Sequence, residues 1–148
     1  MSVREDIAQD IVQTLQGITN PPVVIVSRNP INTTDLAITQ YPAIMVRTSE
    51  EARNDITQGG LRMGEIDYTI IGFVRASASA TTITNNIDTQ RNALIEAIEE
   101  ALETDRQRSL NALNCYVSNI VVDDGTIYPL GRVDITFTVQ YKYTRGTV

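Results

Sequence analysis

Arg132-Val133-Asp134-Ile135-Thr136-Phe137-Thr138-Val139-Gln140-Tyr141-Lys142-Tyr143 alternates polar and apolar residues without a break. A strand sends successive side chains to opposite faces, so this run predicts one apolar and one polar face. Its β-branched and aromatic residues suit a pleated surface. Twelve residues span about 40 Å, long for a strand. The rest of the chain is therefore read as what this strand pairs with and packs against.

Just before it, Asp123-Asp124-Gly125-Thr126 is a turn signal, extended by Tyr128-Pro129-Leu130-Gly131. Cys115–Val122 then reads as the preceding strand. Before that, Ile83, Ile87, Leu94, Ile98 and Ala101 fall on one side of a helix, widened by Ile95 and Leu102. Thr81 or Thr82 can cap it. Gln90 and Arg91 interrupt the stripe, so that turn is expected to be partly buried or to meet a polar neighbour. Glu96, Glu99, Glu100 and Glu103 lie on the opposite face. Leu61–Ala76 has Ile66, Tyr68, Ile70 and Val74 on one parity, with Ile71 and Phe73 on the other. It predicts a long strand with Gly72 as a bulge. Ser49–Gly60 reads as a long polar hairpin connection to an antiparallel strand over Tyr41–Thr48, with Pro42 at its start. Val23-Val24-Ile25-Val26 predicts a short strand covered on both faces. Arg28–Gln40 predicts a surface connection. The chain opens with a helix carrying Val3, Ile7, Ile11, Leu15 and Ile18, capped by Ser2 with Glu5 and ended by Gly17. The order α-β-β-β-α-β-β predicts an α+β fold over residues 1–148 as a single domain. In it, a mostly antiparallel sheet of about five strands carries two helices on one face.

Composition narrows the function. The chain has 148 residues and a net charge of −6, which argues against a nucleic-acid binder held by overall charge. Arg outnumbers Lys 11 to 1, Lys142 being the one lysine. Arg is favoured and Lys depleted at interfaces, although compositional bias gives the same imbalance. The single Cys115 excludes an intrachain disulfide and is expected to be a small buried residue. With no His, the commonest general base and metal ligand is absent. No apolar run is long enough to span a membrane, and the N-terminus lacks a signal-peptide core. The expectation is a soluble protein made in a reducing compartment.

No motif asks for chemistry. The four glutamates of the second helix stand where acids are ordinarily solvated. Asp123-Asp124-Gly125 lacks the rest of a calcium loop, and Gly59-Gly60 with Gly64 lacks the Lys-Ser/Thr of a phosphate loop. A small metal-dependent hydrolase using Glu96, Glu99, Glu100 or Asp123 and Asp124 is the distant alternative. The expectation is a non-enzymatic interaction protein without cofactor or metal. Lys142 and Arg145 would guard a sheet edge at the end of the last strand.

The layout as a whole resembles a known family. It combines an N-terminal amphipathic helix, a Pro-flanked short strand and the Tyr41-Pro42-Ala43-Ile44 strand start. A polar hairpin, a helix with Leu94-Ile95-Glu96-Ala97-Ile98 and the last strand Arg132–Tyr143 follow. This is similar to the tail terminator (tail completion, minor tail protein U-like) proteins of tailed bacteriophages. The resemblance implies a homo-oligomeric ring, usually a hexamer, at the head-proximal end of the tail in the virion. Such a ring caps the tail tube protein, stops tube growth and docks the neck or connector protein. DNA passes through the lumen without specific binding, and no membrane is involved. Another head–tail connector or a tube- or sheath-associated protein is the nearest alternative. The residues expected at contacts are Glu50, Glu51, Arg53, Asp55, Arg62, Arg75, Arg132, Asp134, Gln140 and Lys142, with the Ser49–Gly60 connection and the two long strands.

Overall fold

The computed structural model describes residues 3–19, 22–29, 41–55, 61–75, 87–104, 113–122 and 130–144. They form α1 (Val3–Gln16), β1 (Ile25–Ser27), β2 (Ala43–Asp55), β3 (Leu61–Arg75), α2 (Ile87–Glu103), β4 (Asn114–Val122) and β5 (Leu130–Thr144). The order α-β-β-β-α-β-β is as expected, and the fold is α+β. The strands make one sheet in the order β1-β2-β3-β5-β4. β1 runs parallel to β2, and every other pair is antiparallel.

β5 lies between β3 and β4. Its odd residues Val133, Ile135, Phe137, Val139 and Tyr141 are all 0% exposed. They meet Ile66, Tyr68, Ile70 and Val74 of β3 in one core with Ile7, Ile11 and Leu15 of α1 and Leu94, Ile98 and Leu102 of α2. These helix residues recur at steps of four, so each helix turns one apolar stripe to the sheet. In α1, Glu5 and Asp6 occupy the first turn, where the helix dipole favours acids. Its last turn tightens, Gly17 N–H donating to Thr14 O and Ile18 N–H to Leu15 O, each at 3.2 Å. Arg91 is 8% exposed and pairs with exposed Asp88, which explains the polar break in the α2 stripe.

Some expectations need correction. The Val23–Val26 run is not a doubly covered strand. β1 is a half-buried edge strand, and Val24 just before it is 52% exposed. A short apolar run carries no information on whether its strand is central or at an edge. Ser49–Asp55 is not hairpin connection. β2 continues to Asp55 and pairs with β3 down to Arg62. Ladder bonds are made by backbone whatever the side chains are, so polar residues here concealed a strand. Gly72 is not a bulge, because β3 keeps unbroken register there with both neighbours. The shift falls between Thr48 and Glu50 in β2, and another lies between Val117 and Asn119 in β4. What Gly72 provides is room: a Cβ there would stand 2.7 Å from Leu94 Cδ2 and 3.1 Å from Val133 Cγ1. Lys142 pairs with Met63 on its β3 side, while β4 pairs with β5 only as far as Gln140. Arg145, Ser2, Thr81, Thr82, Ile83, Ala76 and the turn 123–129 lie outside the described residues.

Candidate interaction surfaces

Strand register divides the expected contact residues between two faces. Glu51, Arg53 and Arg62 share the helix-covered face. Glu50, Arg75, Arg132, Asp134, Gln140 and Lys142 share the opposite face. The structure therefore does not gather the ten into one site. The side chain of Asp55 lies outside the described residues.

The first group closes the sheet under the start of α1. Arg4 approaches Glu51 at 3.5 Å, and Arg53 pairs with the same carboxylate. Arg28, just past β1, pairs with Glu5. Arg62 Nη2 donates to Arg53 O at 3.4 Å. Tyr68 Oη donates to Arg4 O at 3.3 Å, tying the first turn of α1 to β3. The Arg28 hydrogen bond lowers the Glu5 pKa from its ordinary 4.5. Burial raises the Tyr68 pKa well above the usual tyrosine range, and burial followed by the Glu51 carboxylate raises that of Tyr141. A Cβ on Gly64 would stand 2.4 Å from the Tyr141 ring, so this glycine is what admits Tyr141 against β3.

On the opposite face, polar side chains satisfy one another across strands. Arg132 holds Asp134 with Nε to Oδ1 at 2.7 Å and Nη2 to Oδ2 at 3.0 Å, a two-point grip. Its guanidinium also lies 6.0 Å from the Phe73 ring centroid. Gln140 Nε2 donates to Glu65 at 3.2 Å. Thr138, 3% exposed, donates to Asp67 Oδ1 at 2.8 Å, and Ser118 lies 3.0 Å from the same hydroxyl. One hydroxyl proton cannot serve both, so Ser118 supplies the second bond or turns to Thr136 O at 3.2 Å. Ile71 and Phe73, 2% and 7% exposed, are apolar members of this face. Sequence reasoning missed Glu65, Asp67 and Ser118, whose partners only the register reveals.

The glutamates of α2 line an open surface groove of about 420 Å³ with Thr104. Glu103 Oε1 accepts the Val117 N–H of β4 at 3.0 Å. Among the described residues, no group of three or more acids or cysteines stands close enough to hold a metal ion, and no helix is long and apolar enough to cross a membrane. Asp123 and Asp124 lie outside them.

Exposed large apolar side chains have a pattern of their own. Among the described residues they are Val24, Leu113, Tyr116, Ile120, Val121 and Val122. Val24 flanks β1 and the others belong to or adjoin β4, so all six stand at the two edges of the sheet.

No family model matches the sequence, and no curated protein matches it. Among solved structures, the fold is similar to that of a chain in the virion of a native gene transfer agent particle. The TM-score is 0.61 at 14% identity, over 96% of this chain and 98% of the other. At that identity the likeness establishes the shared fold.

Proposed function

We propose that this chain is a non-enzymatic structural protein of a phage-like virion, acting as a tail terminator. In this reading it forms a ring, a hexamer in the usual case, on the head-proximal end of the tail tube. The ring stops tube growth and offers the neck its docking surface while DNA passes through. The observation that carries the reading is the fold match to a virion chain, which takes in nearly the whole of both chains and leaves little unmatched in either. The α-β-β-β-α-β-β order and the layout around Tyr41-Pro42-Ala43-Ile44 support the terminator assignment in particular. Closed rings arise when head-to-tail contacts repeat with a rotation that closes. In this reading the two polar groups built on β2, β3 and β5 face different neighbours in the particle.

Negative-stain imaging of the purified protein, alone and mixed with tail tubes, tests this. The expected result is ring-shaped density at one tube end and tubes of fixed length. A protein that stays monomeric and never decorates a tube end sinks the reading. The nearest alternative is another connector or a tube-associated component. A map of the whole particle separates these, because a terminator sits between tube and neck.

A further inference from the structure

We infer that the outer edge of β4 pairs with the β1–β2 edge of a second copy of this chain, extending one sheet from subunit to subunit. Three observations lead there. First, both edges are open among the described residues. β4 pairs only with β5, and β1 covers β2 only along Ala43, Ile44 and Met45, leaving Val46–Asp55 without a strand outside it. Unpaired edges are templates for strand addition. Second, the directions agree. β2 and β5 are each antiparallel to β3, and β4 is antiparallel to β5. β4 therefore runs opposite to β2, and a copy placed beside it by head-to-tail repetition meets β4 in the antiparallel sense. Third, the exposed apolar residues stand at those edges and nowhere else among the described residues.

Register sets the level of the contact. Following partners across the sheet, Asn119 is level with Thr136, Thr69 and Arg47. Asn114 is level with Gln140, Glu65 and Ala52. Asn114–Asn119 would thus lie along Arg47–Ala52 of the neighbour. Ile120 would reach the level of Val46, and Val121 and Val122 would abut the Ser27–Val26 end of β1, where the neighbour's own strand takes over the edge. Charges stand on both flanks as well. Glu103 of α2 reaches β4 and shares its groove with Glu96 and Glu99, while the other flank carries Arg4, Arg28 and Arg53, each paired with Glu5 or Glu51. In the single chain Glu103 occupies the outward Val117 N–H. Pairing would give that N–H a backbone carbonyl and turn Glu103 toward the neighbour's arginines. The inference rests on the ring reading only in requiring head-to-tail contact.

Cysteine variants test it cleanly, because Cys115 is buried. Asn119→Cys, Arg47→Cys and Ala52→Cys all alter exposed positions, the last covering a shifted register. After mild oxidation with oxidised glutathione, each single variant should remain uncrosslinked. An equal mixture of Asn119→Cys with one of the β2 variants should give a covalent dimer, and the matching double variant a covalent closed ring. Single variants that dimerise with themselves, or mixtures that never crosslink, overturn the inference. Val121→Lys should raise the dissociation constant at least about tenfold by native mass spectrometry, since a charge on an edge strand opposes addition. An unchanged constant also overturns it. Crosslinked rings that never bind tubes would sink the tail-terminator reading alone. Tube-capping rings without crosslinks would sink the edge pairing alone.

Discussion

On the helix side of β5, five consecutive odd residues from Val133 to Tyr141 are completely buried. On the other side of the same strand, Arg132, Asp134, Thr136 and Gln140 stay half-buried, and only Thr138 is closed off. One strand thus contributes to two differently built surfaces. The inner one is held by apolar area removed from water and by shape, so its cost per altered atom is high. The outer one is held by paired polar groups whose partners in water are nearly as good, so each pair has a modest net value. The core side should therefore be brittle and the other side tolerant, which leaves the second free to carry contacts.

The sharpest test of the brittle side is Phe137→Ala. Removing a fully buried ring should cost about 3–5 kcal/mol, read as a fall in the urea midpoint at constant slope. A loss near that of an outer-face substitution would break the comparison. Gly72→Ala should come next, at about 1–3 kcal/mol, because the new Cβ meets fully buried Leu94. On a Leu94→Ala background the same change should cost much less, and a double-mutant cycle measures the difference.

How well the sequence predicted each part follows from the same contrast. The alternation from Arg132 to Tyr141, the four-residue steps of α1 and the Leu94, Ile98, Leu102 stripe all record burial against a core, and all were readable. The extension of β2 through Glu50, Glu51 and Arg53 was not. That segment is held by backbone pairing with β3 and by ion pairs to Arg4, neither of which leaves a hydrophobic period. The same limit hid the Asp67–Thr138–Ser118 cluster, whose members come from three strands. Charge marks most of the candidate contact residues, but it does not encode how they divide between two faces. The placement of β1 and β4 at the edges depended on pairing order, which local pattern does not encode.

On the outer face, Thr138→Val keeps the shape and removes the hydroxyl that Asp67 and Ser118 share. The expected loss is about 1–2 kcal/mol in urea unfolding, more than for other polar residues of this face because Thr138 is enclosed. Tyr68 tests the inner face in another way. Its folded pKa is raised above the ordinary 10.0 by burial. The stability it contributes is then complete below pH 10.0 and is lost as pH rises above it, because the unfolded chain releases the proton first. Tyr68→Phe should flatten the alkaline fall in melting temperature while costing about 0.5–1.5 kcal/mol at neutral pH for the bond to Arg4 O. An equally steep alkaline fall in the variant would mean that Tyr68 is not the group responsible.

The smallest effect should come from Arg132→Ala. Its pair with Asp134 has good two-point geometry, yet the two side chains are 43% and 35% exposed. Exposed pairs of this kind contribute about 0–1 kcal/mol, and salt screens them. The contact with Phe73 adds about 0.5–1 kcal/mol at an exposed site and also keeps water from a ring that is 7% exposed. Arg132→Lys should keep the charge but lose the two-point grip and the flat contact on the ring. If the ion pair dominates, Lys recovers most of the loss and high salt removes the difference between variant and parent. If coverage of Phe73 dominates, Lys recovers little, the loss persists in high salt, and Phe73→Ala in the same background adds less than it does alone. The second outcome is expected, because Arg132 and Phe73 are directly paired across β5 and β3. It would make this polar face a partly apolar one, closer in kind to the core side than its sequence suggests.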